Sequence, residues 1–210
     1  VTSCLMEEKE LFDKTPAERM EAYLDEYHKL LASAQEGWLL QYYPEENQSY
    51  GGYAYILQFS KDSVTAYFQL ATDTEVSVSS LYKMTPDDGP VITFDTYNDY
   101  IHFFATPSVS DYEAMHGDYE FRIVGKNSDA SEIYMKGKRT NNNYTLVKFT
   151  GNPAEYLNKI NEVFNGDWCF AGVKLNDHRA FKALKLTHIK HVFVFPVNKV
   201  IGTPGDKRMI

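Results

Sequence analysis

A chain of 210 residues with 29 Asp and Glu against 21 Lys and Arg carries a net charge of −8. It repels phosphate backbones, so nucleic acid is excluded as an expected partner. Apolar residues at 43% and charged ones at 24% can build a packed core without metal, and two cysteines, Cys4 and Cys169, cannot make a disulfide framework.

Residues 1–14 read as a tether outside the fold. Val1-Thr2-Ser3-Cys4 has the apolar, small, small, Cys order that ends a bacterial lipoprotein signal, in which the cysteine is expected to become the mature N-terminus. A start on Val rather than Met is read as the loss of something upstream. Acyl chains on Cys4 would hold the protein at a membrane, since each buried methylene contributes about 0.8 kcal/mol. Glu7, Glu8 and Glu10 are similar to the acidic export tag of Bacteroidales lipoproteins that reach the outer face of the outer membrane. A plain solvated charge run is the alternative.

Residues 15–150 are expected to hold one helix and an antiparallel β domain. Thr15-Pro16-Ala17-Glu18 has a cap, a proline suited to the first helical position and the second half of a capping box. Met20, Leu24, Tyr27 and Leu31 then recur at helical spacing, with Tyr23, Leu30 and Ala34 widening the stripe, and Gly37 ends it. From Trp38 the period changes to two. Strands are expected over 38–43, 53–59, 64–70, 76–84, 91–94, 100–104, 119–124, 132–138 and 144–149, with the last hairpin turning on Asn141-Asn142-Asn143, residues that tolerate positive φ. Consecutive short strands predict a meander that removes its edges by curling, so the expected fold is mainly β, a lipocalin-like barrel, open or closed; a two-layer sandwich is the alternative. Residues 151–210 read as a helix and strands, either a truncated second copy or a C-terminal extension.

No constellation spells out a reaction. A nucleophile needs a base and an oxyanion pocket beside it, and no Gly-x-Ser-x-Gly elbow occurs. His188 and His191 lie three apart in a strand-like run, which points them to opposite faces, so neither a metal nor any other cofactor is expected. Asp87-Asp88 and Glu45-Glu46 read as solvated loop acids, Lys136 to Arg139 as a solvated basic face, and Cys169 as a buried small residue. The binding hint is aromatic: Trp38, Tyr42, Tyr43, Tyr50, Tyr53, Tyr55 and Tyr67 crowd the first three strands. Of these, Trp38, Tyr42, Tyr53, Tyr55 and Tyr67 are the candidate ligand contacts, against the alternative that alternating Tyr fill a core with hydroxyls at its rim. Asp62-Ser63-Val64 fits a short Bacteroidales glycosylation motif, which makes Ser63 a candidate modification site.

Several stretches stand in a fixed order: Cys4 with its acids, Glu10 to Arg19, Gly37-Trp38 through Tyr42-Tyr43-Pro44, and Gly51-Gly52-Tyr53. They continue with Phe94 to Asn98, His102-Phe103-Phe104, Gly117 to Phe121 and Lys136 to Arg139. From Cys4 to Phe149 this series resembles a Bacteroidales lipoprotein family of unknown function, domain of unknown function 4302. The resemblance implies an envelope lipoprotein encoded near glycan-importing systems and no catalytic residues. The expectation is therefore a non-enzymatic, lipid-anchored binding or accessory module in an outer-membrane uptake complex, facing the cell surface or the periplasm. Its ligand is expected to be a glycan, a peptide or a small hydrophobic molecule. The alternative is an envelope hydrolase with an unfamiliar carboxylate site.

Overall fold

The computed structural model describes residues 15–47, 50–108 and 112–165, and a short ladder pairing Lys174–Leu175 with His178–Arg179. Cys4 and its tether, Cys169, His188 and His191 lie outside the described residues. Thr15 caps helix α1 (Pro16–Ser33): its hydroxyl accepts from the Glu18 N–H at 3.3 Å, while the Glu18 carboxylate accepts from the Thr15 N–H at 2.8 Å. The helix buries Tyr27 and Leu31 and leaves Tyr23 53% exposed, so the stripe is narrower than its sequence. The turn after it needs Gly37, at φ 103°, because a Cβ there would stand 2.8 Å from the Leu57 carbonyl oxygen.

Nine strands follow: β1 (Trp38–Tyr42), β2 (Tyr53–Phe59), β3 (Ser63–Phe68), β4 (Val78–Leu81), β5 (Lys83–Pro86), β6 (Pro90–Thr93), β7 (Glu120–Lys126), β8 (Glu132–Gly137) and β9 (Asn143–Lys148). Their order in the sheet is β4-β3-β2-β1-β9-β8-β7-β6-β5, every pair antiparallel. The two edge strands are sequence neighbours separated only by Tyr82. One bent ribbon therefore pairs with β3 before Tyr82 and with β6 after it, which curls the sheet into a nearly closed barrel. That is the lipocalin-like architecture expected, with two changes to the strand list. The expected strand over 76–84 is divided at Tyr82, and residues 100–104 form turns. Leu70, expected to continue the alternation of β3, lies beyond its end and is 40% exposed. Asn141 takes φ 60° in the last hairpin, as its turn requires.

Period-two alternation sends Trp38, Leu40 and Tyr42 of β1, Tyr55, Leu57 and Phe59 of β2, and Val64, Ala66 and Phe68 of β3 into one interior cluster. Phe121, Ile123, Met135, Tyr144 and Leu146 enter it from β7, β8 and β9. β1 is buried on both faces, because Leu39 points outward into a second cluster with Ala54, Ile56 and Phe149. Helix α2 (Pro153–Asn165) covers that cluster with Tyr156 and Leu157. Helix α2, which follows residue 150, thus packs on the barrel's outer wall.

The buried tyrosines explain the composition. Tyr42 donates to the Asp118 carbonyl (2.9 Å), Tyr55 to the Tyr100 carbonyl (3.0 Å) and Tyr82 to the Ser60 carbonyl (3.1 Å). Each ring fills the interior while its hydroxyl satisfies a loop backbone group at a mouth, a task Phe cannot perform.

Candidate functional site

One mouth of the barrel lies under α1, where Glu26 pairs with Lys126 at the end of β7 and the His28 ring meets the Lys61 carbonyl in the β2–β3 turn. The other is filled by the long connection between β6 and β7, described over residues 94–108 and 112–119. Asn98 organises this plug. Its side-chain oxygen accepts from the N–H groups of Tyr100 (3.0 Å) and Ile101 (3.2 Å), starting a tight turn. Its amide nitrogen donates to the Val78 carbonyl and to Ser80 Oγ, both at 3.1 Å, on the free edge of β4. Asn98, 1% exposed, thus seals part of the seam left where β4 and β5 do not pair. Behind it Ile101 and Phe104 are buried, and the Phe104 ring packs on Tyr42, Tyr53 and Phe68.

The outward side of the plug is aromatic. Tyr97 is 60% exposed, Phe103 43%, Tyr112 84% and Tyr119 39%. His102 stands between Tyr97 and Tyr119, with ring centroids at 5.3 and 5.1 Å and planes about 30° apart, a three-ring ladder. Its Nδ1 lies 3.1 Å from the Asn98 N–H, so the turn and the ladder hold each other. Four large rings are thus exposed among the described residues of this one connection.

At the plug's end stands Asp118, a carboxylate only 1% exposed. Its oxygens accept from the N–H groups of Arg139 (2.7 Å) and Thr140 (3.2 Å), from the Thr140 hydroxyl, and lie 2.8 Å from the Tyr144 hydroxyl. A Cβ on Gly137 would stand 2.1 Å from Asp118 Oδ2, so only glycine lets the strand pass. Burial, with the Asp118 charge adding to it, pushes the Tyr144 phenol far above its ordinary value. The carboxylate is fully occupied in fastening the β8–β9 turn to the plug, and none of its partners is a second carboxylate.

The expected ligand residues do not form one face. Trp38, Tyr42 and Tyr55 are at most 1% exposed, core-filling rings with no surface for a ligand; Tyr53, half-buried, packs on the same interior. Tyr67 points the other way, onto the outer wall beside α2. Ser63, half-buried, opens β3 with its hydroxyl 2.7 Å from Ser60 Oγ. Asp87 and Asp88, expected to be plain loop acids, pair with Lys138 and Arg122. Sequence reasoning missed Phe103 and Tyr119 because residues 100–104 and 119–124 look strand-like, and Tyr97 because it lies outside the first three strands, where the aromatic residues crowd. The available signal was Asp95 to Asp99, polar residues and Asn98 in a stretch without alternation. Among the described residues no group of three or more His, Cys, Asp or Glu is placed to hold a metal ion, and no helix is long and apolar enough to cross a membrane.

The stretches that carry the family resemblance, distant in sequence, converge on this mouth: Tyr42 to Pro44, Phe94 to Asn98, His102 to Phe104, Gly117 to Phe121 and the turn after Lys136. The family described as domain of unknown function (DUF4302) matches residues 8–196. No curated protein and no solved structure matches the chain.

Proposed function

We propose, for a chain that belongs to the family of domain of unknown function DUF4302, a non-enzymatic binding module of the cell envelope. It is held at the outer membrane through an acylated Cys4 and takes a glycan or peptide at the plugged mouth, as an accessory to an uptake complex. The observation carrying the reading is the exposure of Tyr97, Phe103, Tyr112 and Tyr119 on one connection. The interior is occupied by the protein's own rings, which argues for a surface ligand over a small hydrophobic molecule carried inside. At the plugged mouth, Asp118 is saturated and solitary, so that mouth does not supply the two carboxylates across a cleft that the hydrolase alternative requires.

A glycan and peptide array probed with the full chain and with Tyr97→Ala and Tyr119→Ala tests the surface. Ligands retained by the parent chain should be lost by both variants, and retention at parental strength by both would end the reading. Metabolic labelling with a palmitate analogue tests the tether. The label should disappear in Cys4→Ala, and an unlabelled parent would leave the envelope placement without support.

A further inference from the structure

A second concavity lies on the outer wall, away from the plug's rings. It is a cleft of about 410 Å³ between β3, the β3–β4 loop and the first turn of α2, and Tyr67, Glu75, Asn152, Glu155 and Asn158 line it. That volume is within the roughly 300–1,000 Å³ of small-molecule clefts. Its walls are tied together: Thr74 Oγ1 donates to Asn158 Oδ1 (2.8 Å) and Asn161 Nδ2 donates to the Gln69 carbonyl (2.9 Å). Tyr67 is held by packing against the cluster under α2. The cleft is built before any ligand arrives.

We infer that this cleft binds a neutral sugar ring, with the Tyr67 ring as platform and Glu75, Glu155, Asn152 and Asn158 as its hydroxyl partners. The inference rests on the reading of the chain as a binding module and adds a second site and a ligand class to it. A helix start attracts anions. Here, however, the Glu75 and Glu155 carboxylates border the cleft, take part in no hydrogen bond or ion pair among the described residues, and are accompanied by no Lys or Arg in its lining. Phosphates and uronic acids would therefore be repelled. A cation could use the two carboxylates but would leave donors unmatched. Asn158 has its oxygen engaged by Thr74, and Asn152 has its oxygen engaged by the Glu155 N–H at 3.1 Å, so each offers its amide N–H groups. A sugar hydroxyl donates and accepts at once, and a set of two carboxylates and two amide donors matches adjacent hydroxyls on a ring. Apolar ring faces lie flat on aromatic side chains, and the platform here is a rigid one.

Saturation-transfer NMR on the full chain with glucose, galactose, N-acetylglucosamine and their disaccharides tests the assignment, with galacturonate and spermine as charged controls. A neutral sugar should saturate. Its affinity should fall about tenfold in Glu75→Ala, which loses a charge-assisted hydrogen bond, and should be kept in Tyr97→Ala. Tyr67→Phe should retain binding and Tyr67→Ala should lose it. Because Tyr67→Ala also thins the packing under α2, the exposed Glu75 decides the matter if that variant unfolds. The site is overturned if no neutral sugar saturates, if galacturonate or spermine binds more tightly, or if Glu75→Ala binds like the parent chain. Sugar binding lost only in Tyr97→Ala would overturn the cleft and leave the plugged mouth standing as the binding surface.

Discussion

At one mouth of the barrel, α1 lays Tyr27, Leu31 and Ala34 onto the interior cluster and pins its own C-terminal turn by the Trp38 indole, which donates to the Leu31 carbonyl at 2.9 Å. At the other, the β6–β7 connection does the sealing with Asn98, Phe104 and Asp118 and leaves Tyr97, Phe103, Tyr112 and Tyr119 exposed. Helical backbone satisfies itself, so the first mouth needs only an apolar face and a few surface pairs. Looped backbone does not, and the second mouth spends buried polar side chains on it. The irregular mouth gains partly exposed rings, and loops on a rigid scaffold are where binding residues concentrate.

The largest effects should come from the polar fastening of the plugged mouth and the apolar fastening of the helical one. Asp118→Ala strips acceptors from the Arg139 and Thr140 N–H groups and from the Thr140 hydroxyl, and should cost about 3–5 kcal/mol in urea unfolding. Gly137→Ala should cost at least as much, because its new methyl must displace the same carboxylate. Trp38→Ala should also cost about 3–5 kcal/mol. Hydrogen exchange separates them: Asp118→Ala should expose the β8–β9 turn first, and Trp38→Ala the α1 amides. Loss of protection in the same segment for both would mean that the mouths are not independent.

How far this division was legible in the sequence depends on the kind of residue. The α1 mouth was readable, because capping box, helical stripe and Gly37 act within a few positions of one another. Eight of the nine expected strand stretches hold strands, because alternation is local and the interior side of each is set by the same residues that make the pattern. Phe103 and Phe104 misled the reading at 100–104, since aromatic β-formers also suit a plug whose turns are set by Asn98, a single side chain bonded to β4 far upstream. Asp118 and Gly137 carry no local pattern, since one makes sense only as the filler of the space the other leaves. Trp38, Tyr42 and Tyr55 were conspicuous as aromatics, but only the closure of the sheet decides that their faces are spent on one another.

Alkaline pH should loosen both mouths through their tyrosines. Burial pushes Tyr82 beside α1 up to about 12, and holds Tyr42 and Tyr55 under the plug well above the ordinary value of 10. Phenols in the unfolded chain ionise near 10 while these keep their protons. Their contribution is whole below pH 10 and is lost as pH rises through 10 to about 12 and beyond for the deeper pair. Urea midpoints should therefore fall steadily above pH 10, with tyrosinate absorbance from the buried rings appearing together with unfolding. Full ionisation near pH 10 with the fold intact would mean that water reaches the interior.

A gain of about 1 kcal/mol is expected from Ala130→Gly in the β7–β8 turn on the α1 side, where alanine sits at φ 56°. Ala114→Gly in the plug, also at φ 56°, should gain less, because the Ala114 methyl is 4% exposed and its packing would be forfeited. Thermal melts compare the two. Equal gains would show that the methyl in the plug contributes nothing.

The smallest effect on stability should belong to an exposed ring of the proposed contact surface. Tyr97 is 60% exposed, and its ring packs on the His102 ring. Tyr97→Ala should change unfolding free energy by no more than about 0.5 kcal/mol, the range of surface substitutions, whereas Phe104→Ala beneath it should cost about 3–5 kcal/mol. His102 is still held by Tyr119 and by the Asn98 N–H when Tyr97 is gone, so the turn should survive with unchanged amide protection. A cost above about 2 kcal/mol would place Tyr97 among the fasteners. The three-ring ladder would then be part of the seal, and the plugged mouth would differ from the helical one in its materials alone.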